Sequence, residues 1–354
     1  MSGSAADAQR AWIARVLGVQ LPAGAPAGVR PATGTVRSPS PTGTPDVHVG
    51  ADGRRVEVVV GADGRAELRC PKPPLKEITF SGGGGKGTAL AGAVRALEQS
   101  GALAGVAEVH GASVGSMTAA LIGAGMNADD FTMISNDIDT EKLVKGGDKL
   151  AVNLKGDALE AFIQSQMTLS VMGRINEFMA GGSVDHPVAP EALAACDAIA
   201  KKLEGGAGVT FGDLRMLSKF IPAIKEVVIS GTKIGAQDAS GKMEKATPEL
   251  VVFDADTQPD MEVARAVHAS AALPPVFKPV DLKLQDGSTA RFEDGGVMNN
   301  APSSDTLGNK RQVDPIPDGG AMTCVFEEEA AHEVLAGTVT PTRSRIMDFI
   351  AGAE

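Results

Sequence analysis

Two glycine-rich stretches, each directly after an apolar strand candidate, constrain the fold of this chain most. The first stretch is 82–87 (Gly-Gly-Gly-Gly-Lys-Gly), which follows the strand candidate 75–80. The second is 111–115 (Gly-Ala-Ser-Val-Gly), which follows the strand candidate 106–110. A helical pattern comes after each stretch. Strand, short glycine turn and helix in alternation predict an α/β fold of right-handed βαβ units with a mainly parallel sheet.

Length and charge exclude several classes of protein. The 354 residues, 43% of them apolar, suffice for one large domain or two ordinary ones. The net charge of −11 argues against a nucleic-acid-binding protein, which needs a basic surface, and against bulk attraction to anionic membranes. The three cysteines, Cys70, Cys196 and Cys324, are far apart, which fits neither a disulfide framework nor a zinc site.

The sequence shows no sign of a membrane span or a secretory leader. No stretch reaches the roughly 18 apolar residues that a span needs, and no basic region followed by an apolar run opens the chain. We therefore expect a protein that is cytoplasmic as synthesised. Export by a secretion system that needs no signal peptide is compatible with this expectation.

Composition divides the chain into three parts. Residues 1–70 are predicted to hold a helix at 4–21, a flexible Pro/Gly-rich linker at 22–47 and a small hairpin. The main domain is predicted over 71–310, with a helical insertion at about 127–220, and a C-terminal extension is predicted over 311–354. The elements predicted along the chain are the hairpin 55–60 and 66–68, helices 88–100, 116–124 and 260–269, strands 226–229 and 249–253, and a second hairpin, 282–284 and 290–293.

Ser113 is the candidate nucleophile, because it lies at the centre of a Gly-x-Ser-x-Gly sequence between a strand and a helix. Gly111 and Gly115 stand two residues to either side, where side chains would clash in a tight turn. The N-terminus of the next helix favours negative charge on a substrate carbonyl oxygen. The motif is short, so an ordinary strand-to-helix junction is the alternative.

The first glycine stretch admits three interpretations. A P-loop is excluded, because Gly87 stands where that motif needs Ser or Thr. A dinucleotide-binding loop fits Gly82, Gly84 and Gly87, but its acidic partner, Glu108, lies inside a strand rather than at the carboxyl end. An oxyanion hole fits because successive glycines let N–H groups converge. We favour the oxyanion hole, with Lys86 bracing the loop, and keep a nucleotide-binding α/β enzyme as the alternative.

A serine nucleophile needs a proton acceptor, and Asp294 is the best candidate. It ends a predicted strand, and Gly295 and Gly296 leave room for close approach. None of the five histidines stands in a loop built to present an imidazole, and His110 is expected to pack beneath the serine turn. Partial desolvation makes a carboxylate more basic, so a Ser–Asp pair is chemically reasonable. Taken alone, without the two glycine motifs, Asp294 is better interpreted as the turn residue that ends a hairpin.

Four blocks in this order resemble the patatin-like phospholipases, in particular their bacterial ExoU/VipD-type branch. The blocks are 82–87, 111–115, 269–279 (Ala-Ser-Ala-Ala-Leu-Pro-Pro-Val-Phe-Lys-Pro) and 294–296 (Asp-Gly-Gly). The resemblance covers about residues 75–300. It implies a three-layer α/β/α fold and a catalytic dyad without histidine, in which Ser113 is the nucleophile and Asp294 the base.

The resemblance also implies a reaction and its partners. The N–H groups of Gly83, Gly84 and Gly85 would form the oxyanion hole, and the substrates would be acyl esters of phospholipids or lysophospholipids. Neither calcium nor another cofactor would take part. The protein would contact a membrane surface transiently, could act as a bacterial effector and could need a protein activator. With no tyrosine and one tryptophan, contact with a bilayer would fall to Leu, Met and Phe; candidates that could equally be core are Met167, Leu169 and Met172.

Overall fold

The computed structural model describes residues 46–49, 55–60, 66–69, 74–137, 155–181, 188–310 and 320–326. The predicted helix 4–21 lies outside these residues, as do most of the linker 22–47 and most of the C-terminal extension. The chain forms two compact units, and the second begins at Pro74.

The first unit contains a three-stranded antiparallel sheet. Its strands are β1 (Asp46–Val49), β2 (Arg55–Val60) and β3 (Ala66–Arg69), paired in that order. The predicted hairpin is therefore present as β2 and β3. The third strand of this sheet, β1, begins inside the segment predicted as a linker. Polar and apolar residues alternate in Asp-Val-His-Val, as is typical of a strand.

The second unit is built on a mixed sheet that has seven strands, counted over the described residues. Four of them run parallel, in the order β10, β4, β5, β6, and the others add antiparallel pairs with β6 and with each other. The predicted α/β fold with mostly parallel strands is confirmed. The strands are β4 (Glu77–Phe80), β5 (Glu108–Gly111), β6 (Glu226–Gln237), β7 (Met243–Phe253), β8 (Val280–Lys283), β9 (Thr289–Glu293) and β10 (Ala321–Cys324).

Helices surround this sheet, and several of them lie within the predicted insertion 127–220. None of the described helices is long and apolar enough to span a bilayer. The α-helices are α1 (Leu90–Gln99), α2 (Val114–Gly123), α3 (Ala128–Asp137), α4 (Asp157–Ala180), α5 (Pro190–Glu204), α6 (Phe211–Ser218), α7 (Val263–Ser270) and α8 (Ser304–Leu307), and the 3₁₀ turns are Gly84–Ala89, Ala102–Gly105, Gly295–Val297 and Gly308–Lys310.

Several predicted boundaries differ from the structure, and two of these differences have a clear physical reason. The predicted strand 226–229 continues to Gln237, because pairing with both β7 and β9 carries it through glycine-rich residues that are typical of a loop. The predicted helix 88–100 begins only at Leu90, because the glycine stretch first forms a 3₁₀ turn.

The two faces of the sheet differ in what they bury. Ile78 and Phe80 of β4 lie in the large apolar core, whereas Glu77 and Thr79 alternate to the other face and are also buried. On that second face a smaller cluster packs Leu307 of α8 onto β6 and β7. Helices therefore cover both faces of the sheet.

The suggestion that Met167, Leu169 and Met172 contact lipid is wrong in part. Met167 is 1% exposed and belongs to the core, and Met172 packs against the core. Leu169 is 65% exposed. Helix α4 buries one stripe of side chains, so two of the three candidates face inward.

Candidate active site

Ser113 lies on a sharp turn between β5 and α2. Its φ of 52° and ψ of −127° make it the one non-glycine residue with positive φ among those described. A Cβ at Gly111 would lie 2.2 Å from Gly115 O, and a Cβ at Gly115 would lie 2.1 Å from Phe80 O. Both glycines are therefore required by close packing, as the sequence predicts. A tight, half-buried turn that holds serine in a strained conformation is typical of a nucleophile elbow.

Asp294 follows β9 and is held on several sides. Its Oδ1 accepts a hydrogen bond from Gly296 N at 2.7 Å. Its carbonyl oxygen accepts one from Thr232 Oγ1 at 2.8 Å. A Cβ at Gly295 would lie 2.1 Å from Ser230 O, so this glycine allows the turn to lie directly on β6. These contacts fix the backbone that carries the carboxyl group.

The carboxyl group of Asp294 is buried beside Ser113. Asp294 is 2% exposed. Burial raises its pKa to about 6, and hydrogen bonding to the Ser113 hydroxyl and the Gly296 N–H opposes this shift. Within the described residues, Asp294 Oδ2 is one of two buried side-chain polar atoms without a hydrogen bond of regular geometry. A buried carboxyl group that interacts with a serine hydroxyl and has one oxygen without a partner is suited to accept a proton.

The glycine loop lies against the serine turn. A Cβ at Gly82 would come within 3.0 Å of Ser113 Cβ, and one at Gly87 within 2.1 Å of Val114 Cγ2. The first hydrogen bond of the 3₁₀ turn joins Lys86 N to Gly83 O at 3.1 Å. The N–H groups of Gly83, Gly84 and Gly85 precede this bond and so have no partner within the turn.

Asn300, which the sequence did not single out, joins the loop of the candidate base to the glycine loop. Its backbone oxygen accepts a hydrogen bond from Gly82 N at 3.0 Å, and its Nδ2 donates to Gly82 O at 3.1 Å. Only pairing across the sheet brings these segments together, so no local sequence signal reveals the contact.

The described histidines with placed side chains are engaged elsewhere. The Nδ1 of His110 lies 2.9 Å from Pro302 O, and its Nε2 lies 3.2 Å from Glu108 Oε2. His268 contacts the Glu160 carboxylate and a backbone oxygen, each at 2.7 Å. His110 is fully buried, which agrees with its predicted place beneath the turn.

The position of Glu108 in the structure argues against the interpretation of the glycine stretch as a dinucleotide-binding loop. Glu108 is the first residue of β5, whereas the glycine loop lies at the carboxyl end of β4. Register pairs Glu108 with Glu77 and Gly111 with Phe80. The carboxylate therefore lies at the opposite end of the strand from the place where a ribose would bind.

Among the described residues, Glu77, Glu108 and His110 could hold a metal ion together. Glu77 already accepts hydrogen bonds from Ser304 N at 3.1 Å and Thr79 Oγ1 at 3.2 Å. These protein contacts account for the burial of Glu77 without an ion.

Comparison with known proteins gives a family and two relatives in different bacteria. Residues 78–307 match the family described as Patatin-like phospholipase. The uncharacterised protein YqhO of Bacillus subtilis is 31% identical over 227 residues, which cover 63% of this chain and 64% of YqhO. The ExoU–SpcU complex from the type III secretion system of Pseudomonas aeruginosa matches with 29% identity and a TM-score of 0.55, over 94% of this chain and 60% of that chain.

A more distant structure shares the fold alone. VipD from Legionella pneumophila is 19% identical with a TM-score of 0.51, over 82% of this chain and 55% of VipD. The chain thus spans less than two thirds of the length of each of these relatives.

Proposed function

The chain belongs to the patatin-like phospholipase family, and from this premise we propose that it hydrolyses acyl esters of phospholipids or lysophospholipids. Ser113 is the nucleophile and Asp294 the base. The single observation that carries the proposal is the buried Asp294 carboxyl group beside the Ser113 hydroxyl, with a pKa of about 6. A base with that pKa is deprotonated near neutral pH and is more basic than an ordinary aspartate.

The first half of the reaction forms an acyl-enzyme. Asp294 takes the hydroxyl proton while Ser113 Oγ bonds to the ester carbonyl carbon. The tetrahedral intermediate then breaks its bond to the lysolipid or alcohol oxygen, and Asp294 returns the proton to that leaving oxygen. The fatty acyl group remains esterified to Ser113.

The second half restores the enzyme. Asp294 takes a proton from a water molecule, whose oxygen attacks the acyl carbonyl carbon. The bond to Ser113 Oγ breaks, the serine regains the proton, and the fatty acid leaves. Each half passes through an oxyanion, which the N–H groups of Gly83, Gly84 and Gly85 stabilise. Loss of one such donor costs about 3–4 kcal/mol of barrier.

The turn after Asp294 supplies an apolar surface for contact with a lipid aggregate. Val297 is 54% exposed and Met298 is 46% exposed. The Val297 N–H donates to Asp294 O at 3.2 Å, so both residues belong to the short turn that begins at the candidate base. A membrane that accepts these side chains would bring its lipid ester bonds close to Ser113.

We extend the proposal to delivery and partners. The likeness to ExoU, which comes from a type III secretion system and was solved in complex with SpcU, supports a role as a secreted effector that binds a protein partner. Secretion of a fused reporter from a bacterial host that carries a type III secretion system, with loss of secretion when that system is disabled, would support this role.

Fatty-acid release from vesicles tests the function. We expect release from phosphatidylcholine or lysophosphatidylcholine by the wild type, in the presence of a chelator as well as in its absence. Ser113→Ala and Asp294→Asn should fold normally by circular dichroism and release no fatty acid. Release at the wild-type rate by either variant would contradict the dyad. Stabilisation by NAD, NADP or ATP in a thermal-shift assay would favour the nucleotide-binding alternative.

A further inference from the structure

The backbone of the candidate nucleophile is held by a second serine, Ser270. Ser113 N donates a hydrogen bond to Ser270 Oγ at 3.0 Å. Ser270 is the last residue of α7 and is 0% exposed. The serine that accepts this bond is therefore fixed on an element packed in the core, far along the chain from the turn it supports.

The same segment also holds the candidate base. Two residues after Ser270, Ala272 O accepts a hydrogen bond from Asp294 N at 3.1 Å. Ala272 is also 0% exposed. One short segment at the end of α7 thus binds the backbone N–H of both members of the dyad, through a side-chain oxygen on one side and a carbonyl oxygen on the other.

The bond from Ser113 N has a structural reason. A positive φ is strained for serine and persists only where surrounding contacts enforce it. A backbone N–H that is shielded from water and has no hydrogen-bond partner destabilises the folded chain. Ser270 removes that cost and limits rotation of Ser113 about its N–Cα bond. The bond also engages the Ser113 N–H, which leaves the oxyanion to other donors.

We infer that Ser270 is a positioning residue for the proposed hydrolysis: it holds Ser113 at the angle from which its hydroxyl meets both Asp294 and the substrate carbonyl. The inference rests on the proposed function. Ser270 exchanges no proton with substrate and acts only through the Ser113 backbone. Since small errors in the placement of reacting groups cost about 100-fold in rate, removal of the Ser270 oxygen should lower kcat and leave KM nearly unchanged.

Two substitutions remove the strong acceptor in different ways. Ser270→Ala deletes the oxygen, and Ser270→Cys keeps the shape but offers sulfur, a weak acceptor. Ser270→Thr keeps the hydroxyl and is the conservative rescue. Thr210→Ala is the matched control, because Thr210 is also buried and its Oγ1 accepts a backbone N–H, from Asp213 at 3.2 Å, where it caps α6.

Kinetics with a short-chain ester and labelling by a fluorophosphonate probe give the first readout. We expect Ser270→Ala and Ser270→Cys to lower kcat and the labelling rate about 10- to 100-fold at unchanged KM. Ser270→Thr should stay within a few-fold of the wild type, and Thr210→Ala should match it in both rates. A folded Ser270→Ala or Ser270→Cys variant with wild-type kcat would overturn the inference.

Hydrogen–deuterium exchange of peptide 111–116 gives a second readout that does not depend on activity. The Ser113 amide should exchange faster in Ser270→Ala than in the wild type, and at the wild-type rate in Thr210→Ala. Equal exchange in Ser270→Ala and the wild type would overturn the inference. A wild type that neither hydrolyses esters nor reacts with the probe would instead reject the proposed function, whatever the exchange result.

Discussion

At the scale of single residues, the proposed dyad depends on how one carboxyl group titrates. Asp294 could be predicted as a base from its place after a strand and before two glycines. Its burial could not, because the residues that cover and hold it, such as Thr232 on β6 and Ala272 after α7, come from distant parts of the chain. The sequence likewise gave Ser270 no role, although it lies in the block 269–279.

Asp294→Asn should stabilise the protein at pH 8. In the wild type, a pKa raised from 3.8 to about 6 means that the folded state holds this proton over a range where the unfolded state has lost it. The contribution of Asp294 to stability therefore falls as pH rises through about 6, by about 3 kcal/mol in total. Urea unfolding should show the variant more stable than the wild type at pH 8 and nearly equal to it at pH 4.

Asp286→Asn is the control, for which we expect the opposite change in stability at pH 8. A hydrogen bond from the Ser288 hydroxyl lowers the pKa of this exposed carboxyl group. Asp286→Asn should therefore lose a little stability at pH 8. A lower stability of Asp294→Asn than of the wild type at pH 8 would contradict the burial assigned to Asp294.

At the scale of elements, the sharp serine turn is possible because the start of α2 packs directly against the backbone of β4. The Gly-x-Ser-x-Gly spacing predicted that turn, and the approach of Gly115 to Phe80 O explains it. Helix starts were less predictable. Four glycines in a row gave no indication that a 3₁₀ turn would precede α1.

Gly115→Ala should destabilise the protein strongly, and Gly92→Ala should not. A Cβ at Gly115 would lie 2.1 Å from Phe80 O and 2.7 Å from Ser81 O, both of them backbone atoms. Gly92 lies within α1 and a Cβ there would meet nothing within 4 Å. Thermal unfolding should show a loss of about 3 kcal/mol or more for Gly115→Ala. Gly92→Ala should gain about 0.5–1 kcal/mol; equal stabilities would contradict the packing of the turn.

The turn after Asp294 carries its own prediction. The double variant Val297→Ser, Met298→Ser removes about 1 kcal/mol of apolar contact with lipid per side chain. Hydrolysis of vesicle phospholipid should fall about 30-fold, whereas hydrolysis of a soluble short-chain ester should not change. Leu193→Ser, on α5 and 45% exposed in the wild type, should change neither rate. A double variant with an undiminished vesicle rate would remove this turn from the lipid-contacting surface.

At the scale of the whole molecule, the sequence predicted the α/β class and a mainly parallel sheet, because the strands before the two glycine stretches each lead through a short turn into a helix. The sequence predicted only part of the antiparallel region. The second half of β6 is stabilised by its pairing with β7 and β9, and no apolar pattern in the sequence indicates it. Short strands were expected after about residue 303, but nothing in the sequence placed β10 there or indicated that it pairs with β4 beside the glycine loop. Pairing between segments remote in sequence leaves little trace in either of them.

Covalent labelling tests the central claim most directly. The wild-type protein, treated with a fluorophosphonate ester at pH 8 and digested, should carry the phosphonyl group on Ser113 in its tandem mass spectrum. The rate of labelling should fall as pH drops through about 6, because Asp294 becomes protonated. Labelling that stays undiminished in Ser113→Ala, or that maps to another residue, would contradict the account.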